Sequence, residues 1–428
     1  MKLSDIKKAH FIGAGGIGMS ALARLFLHEG KVVSGSDRTP SDITRALEAE
    51  GVTFFAEQVA GNIADDTDLV VYTEAMPKDH EELVCAREKG IACINYFEAL
   101  GMVANEYYLI AIAGSHGKTT TTAMLIDIFE DAGLDPTAIV GSLRARTKSN
   151  YRAGKSKYFI VEACEYKRDF LSLTPDILII TNIEHEHVDY YKNLRDVQEA
   201  FREFASQVRE GGVVVVNFGG ENIAAILEGV TARVVDYGNF FNPLRVLKVP
   251  GIHNQMNAAA AVAAADATSI PVTQADASLA QFTGTWRRFE YKGDVNGAKV
   301  YDDYGHHPTE IEATIHGARE LYPDRKLTVV FQSHTYSRTH VLFDDFARAL
   351  ALSDRAIILP IYAAREENTS GVSHTKLAEA VSTHGGHAEA RETFDDVVRE
   401  LTTSATPDDL ILVMGAGDIT QAASQLVS

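Results

Sequence analysis

Short runs of apolar, β-prone residues alternate with stretches whose apolar positions recur at helical spacing, from one end of the chain to the other. That alternation predicts an α/β fold with parallel sheets, because two parallel strands need a crossover between them and a helix is the usual one. A first series predicts strands near 9–12, 32–35, 68–73 and 91–95, with a helix over about 17–28. A second predicts strands near 109–113, 158–161, 177–181 and 213–217, then an alanine-rich helix from 257 to about 267. A third predicts strands near 299–301, 327–331, 356–359 and 410–413, with helices near 309–321 and 340–351. At 428 residues the chain exceeds what one core usually supports. Three domains are expected, at 1–104, 105–282 and 283–428.

Open α/β sheets bind ligands beyond the carboxyl ends of their strands, and polar residues of this chain cluster at those ends. The second series opens with a strand that runs into Gly114-Ser115-His116-Gly117-Lys118-Thr119-Thr120 and then a helix. Strand, glycine loop and helix in that order predict a phosphate loop. Its glycines let backbone N–H groups approach phosphate, Lys118 would neutralise β/γ oxygens, and the Thr119 hydroxyl could ligate Mg²⁺. The loop is the short form G-x-x-G-K-T, which points away from GTPases and ordinary kinases.

Neighbouring strands would deliver Glu162 and His187 to the same edge as Thr119. A carboxylate and a hydroxyl suit magnesium. A histidine is a less usual ligand for a hard cation, so ligand chemistry alone leaves His187 open between metal binding and a hydrogen bond in the crevice. His185 and Glu186 are expected to be solvated loop residues.

The first series carries Gly13-Ala14-Gly15-Gly16-Ile17-Gly18 between a strand and a helix, with Asp37 after the next strand. This is the Rossmann pyrophosphate fingerprint. Alone it admits an NAD-dependent dehydrogenase; beside a separate triphosphate loop it is better read as holding a nucleotide-linked substrate.

A net charge of −19 with no long basic run argues against nucleic-acid and membrane-surface partners. Cys85, Cys93 and Cys164 form no CxxC pair, and neither a leader nor an apolar run of about 18 residues is legible, so a cytoplasmic protein is expected.

With these residues assembled, the chain resembles the Mur ligase family over essentially its whole length. The stretches that carry the resemblance are HFIGAGGIGMSALA, VSGSD, GSHGKTTTTAM, VEACEY, ITNIEHEHVDYY, GIHNQMNAAAAV, RRFEYKG, DDYGHHPTEI, FQSHTYSRT and MGAGDI, in the family's order. The resemblance implies an N-terminal Rossmann-like domain, a central P-loop ATP-binding parallel sheet and a C-terminal Rossmann-like domain. It also implies ATP with Mg²⁺, and joining of L-alanine to the lactyl carboxylate of UDP-N-acetylmuramate through an acyl phosphate, by a monomer or homodimer. A recycling ligase that adds a preformed peptide to the same acceptor is the alternative within the family.

Carried onto this sequence, the resemblance implies that Lys118 contacts the transferred phosphate while Thr119, Glu162 and His187 hold magnesium. His253, Asn254 and Asn257 match an adenine-side motif, with a helix cap the plainer role for Asn257; Arg288 would face ATP and Asp303 the ribose hydroxyls. His306, His307 and Arg338 fall where the muramyl carboxylate and incoming alanine are positioned. Gly15, Gly16, Ile17, Gly18 and Met19 would wrap the UDP diphosphate, with Asp37 and Thr73 nearby. Where many members read E-A-D-E-S-D this chain has Glu162-Ala163-Cys164-Glu165-Tyr166-Lys167, and Thr335 stands where many carry arginine.

Overall fold

The computed structural model describes residues 2–74, 76–187, 190–364 and 366–428. Among them the strands form three sheets, of five, seven and six strands. In the first, the spatial order is Thr53–Phe55, Val32–Ser36, Lys8–Ile12, Leu69–Tyr72 and Ala92–Asn95, all parallel. The strand order reverses beside Lys8–Ile12, which leaves a crevice between the loops that follow it and Leu69–Tyr72.

The second sheet runs Arg233–Asp236, Val213–Val216, Ile177–Ile180, Tyr108–Ala113, Tyr158–Glu162, Thr137–Ile139 and Tyr151–Arg152, with only the last strand antiparallel to its neighbour. Tyr108–Ala113 lies between Tyr158–Glu162 and Ile177–Ile180, so all three strands end at one edge. The third sheet has the order Glu290–Val295, Ala298–Asp303, Asp409–Met414, Lys326–His334, Arg355–Tyr362 and Ala388–Ala390, parallel except for Glu290–Val295.

By contacts the chain divides into two compact units. One holds the chain up to Phe241 together with Asn257–Leu279; the other holds Asn242–Met256 and Ala280–Ser428. The first two sheets share one apolar core, in which Phe11, Phe26, Leu109, Phe159 and Phe201 are all buried. In the second unit, Val329 and Phe331 enter one core while Val330 enters another on the opposite face. A strand buried on both faces needs apolar residues at every position, which is why it reads as an unbroken run.

Interior strands and the helix Ile17–His28 match expectation closely. The strands that periodicity did not predict are Thr53–Phe55, Thr137–Ile139, Tyr151–Arg152, Arg233–Asp236, Glu290–Val295 and Ala388–Ala390, each at a sheet edge or next to one. Most are partly solvated or interrupted by polar residues and so carry no apolar run; Thr137–Ile139 is buried but only three residues long. The helix expected at 340–351 is two helices, Tyr336–Val341 and Phe343–Leu350, broken at Leu342, whose backbone (φ −105°, ψ 21°) leaves the helical region. The alanine-rich helix begins at Ile252, five residues before Asn257, so Asn257 is interior to it and not a cap.

Candidate active site

Several helices of this chain close their first turn with a side chain: Ser41, Asn95, Asn193 and Thr393 each accept from a backbone amide there. The helices after the two glycine motifs differ. Ile17–His28 starts from Gly16 and Lys118–Asp131 from Gly117, neither with a side-chain cap, which is the arrangement an anion-binding helix start requires.

At the phosphate loop both glycines are obligatory. Gly114 has φ +132°, and a Cβ there would lie 2.0 Å from Thr181 Oγ1; Gly117 has φ +81°, with a Cβ 2.2 Å from Asn257 Oδ1. The loop is tied to the segment after Ile177–Ile180. The amide of His116 donates to Asn182 Oδ1 (2.8 Å), Asn182 Nδ2 returns a bond to His116 O (3.1 Å), and Glu184 N donates to Ser115 Oγ (2.9 Å). Thr120 is buried on the first turn of the helix. We expect Gly117→Ala to destabilise the protein by about 2–4 kcal/mol, combining left-handed strain with overpacking against Asn257, read as a lower urea midpoint.

The expected meeting of Thr119 and Glu162 is present: the Thr119 hydroxyl lies 2.9 Å from Glu162 Oε2, which also accepts from Gly141 N at 3.0 Å. His187 meets a different carboxylate. Its Nε2 lies 3.0 Å from Glu165 Oε1, and Lys118 Nζ lies 3.0 Å from Glu165 Oε2. Lys118 Nζ also donates to the carbonyls of Gly114 and Ser115. Glu165 is 2% exposed; burial would raise its carboxyl, but Lys118 and then His187 outweigh burial and hold it down at about 2. Burial would likewise lower Lys118, yet Glu165 foremost keeps it above the usual lysine range. Cys164 is pushed up to about 12 by burial and by Glu165, which leaves its thiol protonated and inert at neutral pH.

Glu165 went unassigned in the sequence because nothing in the spacing marks that this second carboxylate, three residues after Glu162, turns inward to meet Lys118 and His187. His185 and Glu186 are corrected as well. His185 Nε2 bonds Tyr191 O at 3.1 Å, and the Glu186 side chain is only 9% exposed, so neither is a solvated loop residue. Ligand atoms of Glu165, Glu186 and His187 lie within 4.8 Å of one another. The donors therefore fit a hard divalent cation on a nucleotide: Thr119 and Glu162 supply oxygen ligands at the loop, and two further carboxylates stand beside His187.

In the first sheet the glycine motif closes on its expected neighbours. Gly15 N donates to Asp37 Oδ2 at 2.9 Å, and a Cβ at Gly13 (φ +84°) would lie 2.7 Å from Thr73 Cγ2. Gly18 faces Tyr96, whose ring would be 2.8 Å from a Cβ, and Met19 is buried. Asp37 thus braces the loop, its other oxygen accepting from Thr39 N at 3.1 Å.

In the second unit, polar residues gather where Ala298–Asp303 and Lys326–His334 end. Asp303, 6% exposed, accepts from the amides of Phe289 and Gly305, both at 2.7 Å. Burial raises it to about 6, against the pull of Arg288 and those amides. The guanidinium of Arg288 lies 3.7 Å from Glu310 and over the Tyr304 ring. His306 Nδ1 lies 3.1 Å from Tyr304 O, so it carries the proton and Nε2 is left as an acceptor. Burial first, then Arg338 and Arg288, outweigh Glu310 and hold His306 down at about 3. His307 caps the helix Pro308–Leu321, accepting from Thr309 N at 3.4 Å. Burial keeps His253 at about 4, and Asn254 Nδ2 bonds Pro250 O at 2.6 Å. Asn257 belongs to the first unit and lies against Gly117. Arg338 is half-buried at the start of Tyr336–Val341, and among the described residues no carboxylate is bonded to its guanidinium.

Comparison with known proteins agrees with this layout. Family models match in chain order: the Mur ligase family catalytic domain over residues 8–108, the Mur ligase middle domain over 112–243, and the Mur ligase glutamate ligase domain over 287–417. Among curated relatives, the UDP-N-acetylmuramate--L-alanine ligase of Clostridium novyi is 41% identical, covering 96% of this chain and 95% of its own. The protein of that name from Agathobacter rectalis is 39% identical, covering 98% and 97%. Among solved structures, the UDP-N-acetylmuramate-alanine ligase of Thermotoga maritima superimposes with a TM-score of 0.82 at 27% identity, covering 98% of each chain. A murein peptide ligase of Psychrobacter arcticus shares the fold, with a TM-score of 0.71 at 24% identity over 99% of this chain and all of its own.

Proposed function

Because the chain belongs to the Mur ligase family, we propose that it is an ATP-dependent ligase that joins L-alanine to the lactyl carboxylate of UDP-N-acetylmuramate, a step of peptidoglycan precursor synthesis. The observation that carries the reading is identity of about 40% over nearly the whole chain to relatives of that name. The reaction has two steps. A lactyl carboxylate oxygen attacks the γ-phosphorus of ATP, the bond to the bridging oxygen breaks, and ADP leaves. The amine of alanine then attacks the acyl-phosphate carbon; the tetrahedral intermediate expels inorganic phosphate and leaves the amide. Such transfers need positioning and charge neutralisation more than a protein nucleophile.

In this reading the amides of Gly114 to Thr120 cradle the phosphates and Lys118 turns from Glu165 to the transferred phosphoryl group. Magnesium, held by Thr119, Glu162 and His187 when bound, would offset charge on the phosphate oxygens. His253, Asn254 and Asn257 serve the adenine side, Arg288 faces ATP, and Asp303 holds the ribose hydroxyls. The loop of Gly15, Gly16, Ile17, Gly18 and Met19, braced by Asp37 and Thr73, takes the UDP diphosphate. Arg338 binds a substrate carboxylate with His306 and His307 beside it, and His306, held neutral, presents Nε2 as a hydrogen-bond acceptor that positions the incoming alanine without taking its proton. No helix of the described residues is long and apolar enough to cross a membrane, and the nucleotide substrates belong to the cytoplasm.

Asp303 gives a pH prediction. A ribose-binding carboxylate must be ionised, and Asp303 loses its proton only near 6 where an ordinary aspartate does so near 3.8. KM for ATP should therefore rise as pH falls through about 6, and Asp303→Asn should show a high KM with no such inflection.

The reading itself is tested by phosphate release from ATP and Mg²⁺ with UDP-N-acetylmuramate present, comparing L-alanine, glycine, L-serine and a tripeptide. Strong dependence on L-alanine is expected. Dependence on the tripeptide would move the chain to the recycling branch, and no release with any acceptor would sink the ligase reading.

A further inference from the structure

Asn150 lies between the strands Thr137–Ile139 and Tyr151–Arg152 of the central sheet, and it is wholly buried. Its side chain is fully engaged with a single helix, Ile17–His28, the one that rises from the glycine motif of the first sheet. Nδ2 donates to Ile17 O and to Ser20 Oγ (2.9 Å), and Oδ1 accepts from Arg24 Nη1 at 2.8 Å. Arg24 is held in turn by Glu50, its Nε 2.7 Å from Oε2.

The main chain of the same residue leads the other way. Asn150 O accepts from Val140 N at 3.0 Å; the next residue, Gly141, donates its amide to Glu162 Oε2 at 3.0 Å, and Glu162 takes the Thr119 hydroxyl. Gly141 has no room for a side chain, since a Cβ would lie 2.5 Å from Glu162 Oε2. One buried residue thus joins the first turns after the diphosphate loop, through its side-chain amide, to the carboxylate at the triphosphate loop, through its main-chain carbonyl and the adjoining Val140–Gly141 backbone.

Only an asparagine-like group offers two donors and an acceptor at that place. Alanine would leave Ile17 O, Ser20 Oγ and Arg24 without it, and aspartate would lose both donors. We propose that Asn150 is a positioning residue that couples the two loops, so that a UDP-linked substrate at the glycine motif and a nucleotide triphosphate at Lys118–Thr119 each favour binding of the other. The inference rests on the assignment of those two ligands above. The physical route is ordering: each ligand fixes a loop, and the buried Asn150, held on one side by its side chain and on the other by its backbone, passes that constraint on, which lowers the conformational cost of the second ligand.

The experiment is calorimetry with UDP-N-acetylmuramate and a non-hydrolysable ATP analogue with Mg²⁺, each titrated alone and in the presence of the other. In the wild-type protein each ligand should tighten the other by about tenfold, within the usual range of coupling between sites. In Asn150→Ala the factor should fall below about twofold while the affinity for the analogue alone changes by less than about threefold; a merely structural asparagine would weaken binding without removing the coupling. Ser20→Ala, which removes one partner only, should roughly halve the factor and serves if Asn150→Ala does not fold. Retention of the full factor in folded Asn150→Ala, or in Ser20→Ala, overturns the proposal, as does its absence from wild type that binds both ligands. Wild type that binds no UDP-N-acetylmuramate defeats the functional assignment first, and this inference with it.

Discussion

Lys118→Met is expected to lower alanine-dependent phosphate release by about 10³-fold or more, at any ATP concentration. The substitution removes the one cation that the loop offers to the transferred phosphoryl group, and the loss of a single preorganised charge-stabilising donor already costs about 10²–10³. It has a second effect that a purely catalytic lysine would not. Glu165, buried and held at about 2, would lose its largest stabilising partner, and breaking a buried ion pair from one side costs about 3–5 kcal/mol. The sign follows from linkage. In wild type the Glu165 carboxyl titrates below its ordinary 4.5, so its contribution to stability is complete above about 4.5 and is lost as pH falls toward about 2. In Lys118→Met that contribution is reduced at neutral pH, and the deficit relative to wild type narrows as pH falls from about 4.5 toward about 2. Phosphate release at neutral pH and melting temperature from about pH 2 to about pH 8 check both parts; a variant that keeps a tenth of wild-type turnover would show that Lys118 does not touch the reacting phosphate.

The second large effect is expected at Arg338. Arg338 is half-buried with no carboxylate bonded to its guanidinium among the described residues, which leaves the fork able to take a ligand's carboxylate. Its surroundings concentrate positive charge on this one group: burial keeps the nearby imidazoles of His306 and His334 neutral, at about 3 and about 4, and Arg338 itself contributes to holding them there. A planar fork beside neutral rings is suited to bidentate carboxylate recognition. Arg338→Ala should therefore reduce kcat/KM for L-alanine or for UDP-N-acetylmuramate by about 10²–10³-fold, the scale of a lost buried charge-assisted pair, while Kd for ATP alone changes little. Arg338→Lys should recover only a small part, because a point charge cannot reproduce the fork. Steady-state kinetics varying each substrate in turn identifies which carboxylate Arg338 holds, and equal loss of ATP affinity would place it elsewhere.

Much of this protein was legible in one dimension, and the particular residues show why. Strands such as Tyr108–Ala113 and Ile177–Ile180 are covered on both faces, so every position is apolar and the run announces itself. The two glycine motifs are legible for a different reason: Gly114, Gly117 and Gly13 occupy left-handed backbone with no space for a Cβ, a local demand that one residue type meets. Edge strands such as Ala388–Ala390 and Thr53–Phe55 had no such signal, since half of each faces solvent.

What sequence by itself determined is therefore what local geometry enforces: the alternating α/β series, the glycine loop that leads into Lys118 and Thr119, and the glycine loop beside Asp37. What only the tertiary structure decided is which side chains from distant segments share one buried place. That Lys118 pairs with Glu165, that His187 joins the same carboxylate, that Glu186 turns inward, and that Asn150 reaches the helix of the other glycine motif follow from strand order and loop packing. The reason is physical: a backbone conformation is selected by its own residue and immediate neighbours, whereas the ionisation and bonding of a buried polar group depend on partners that the fold brings from tens of residues away.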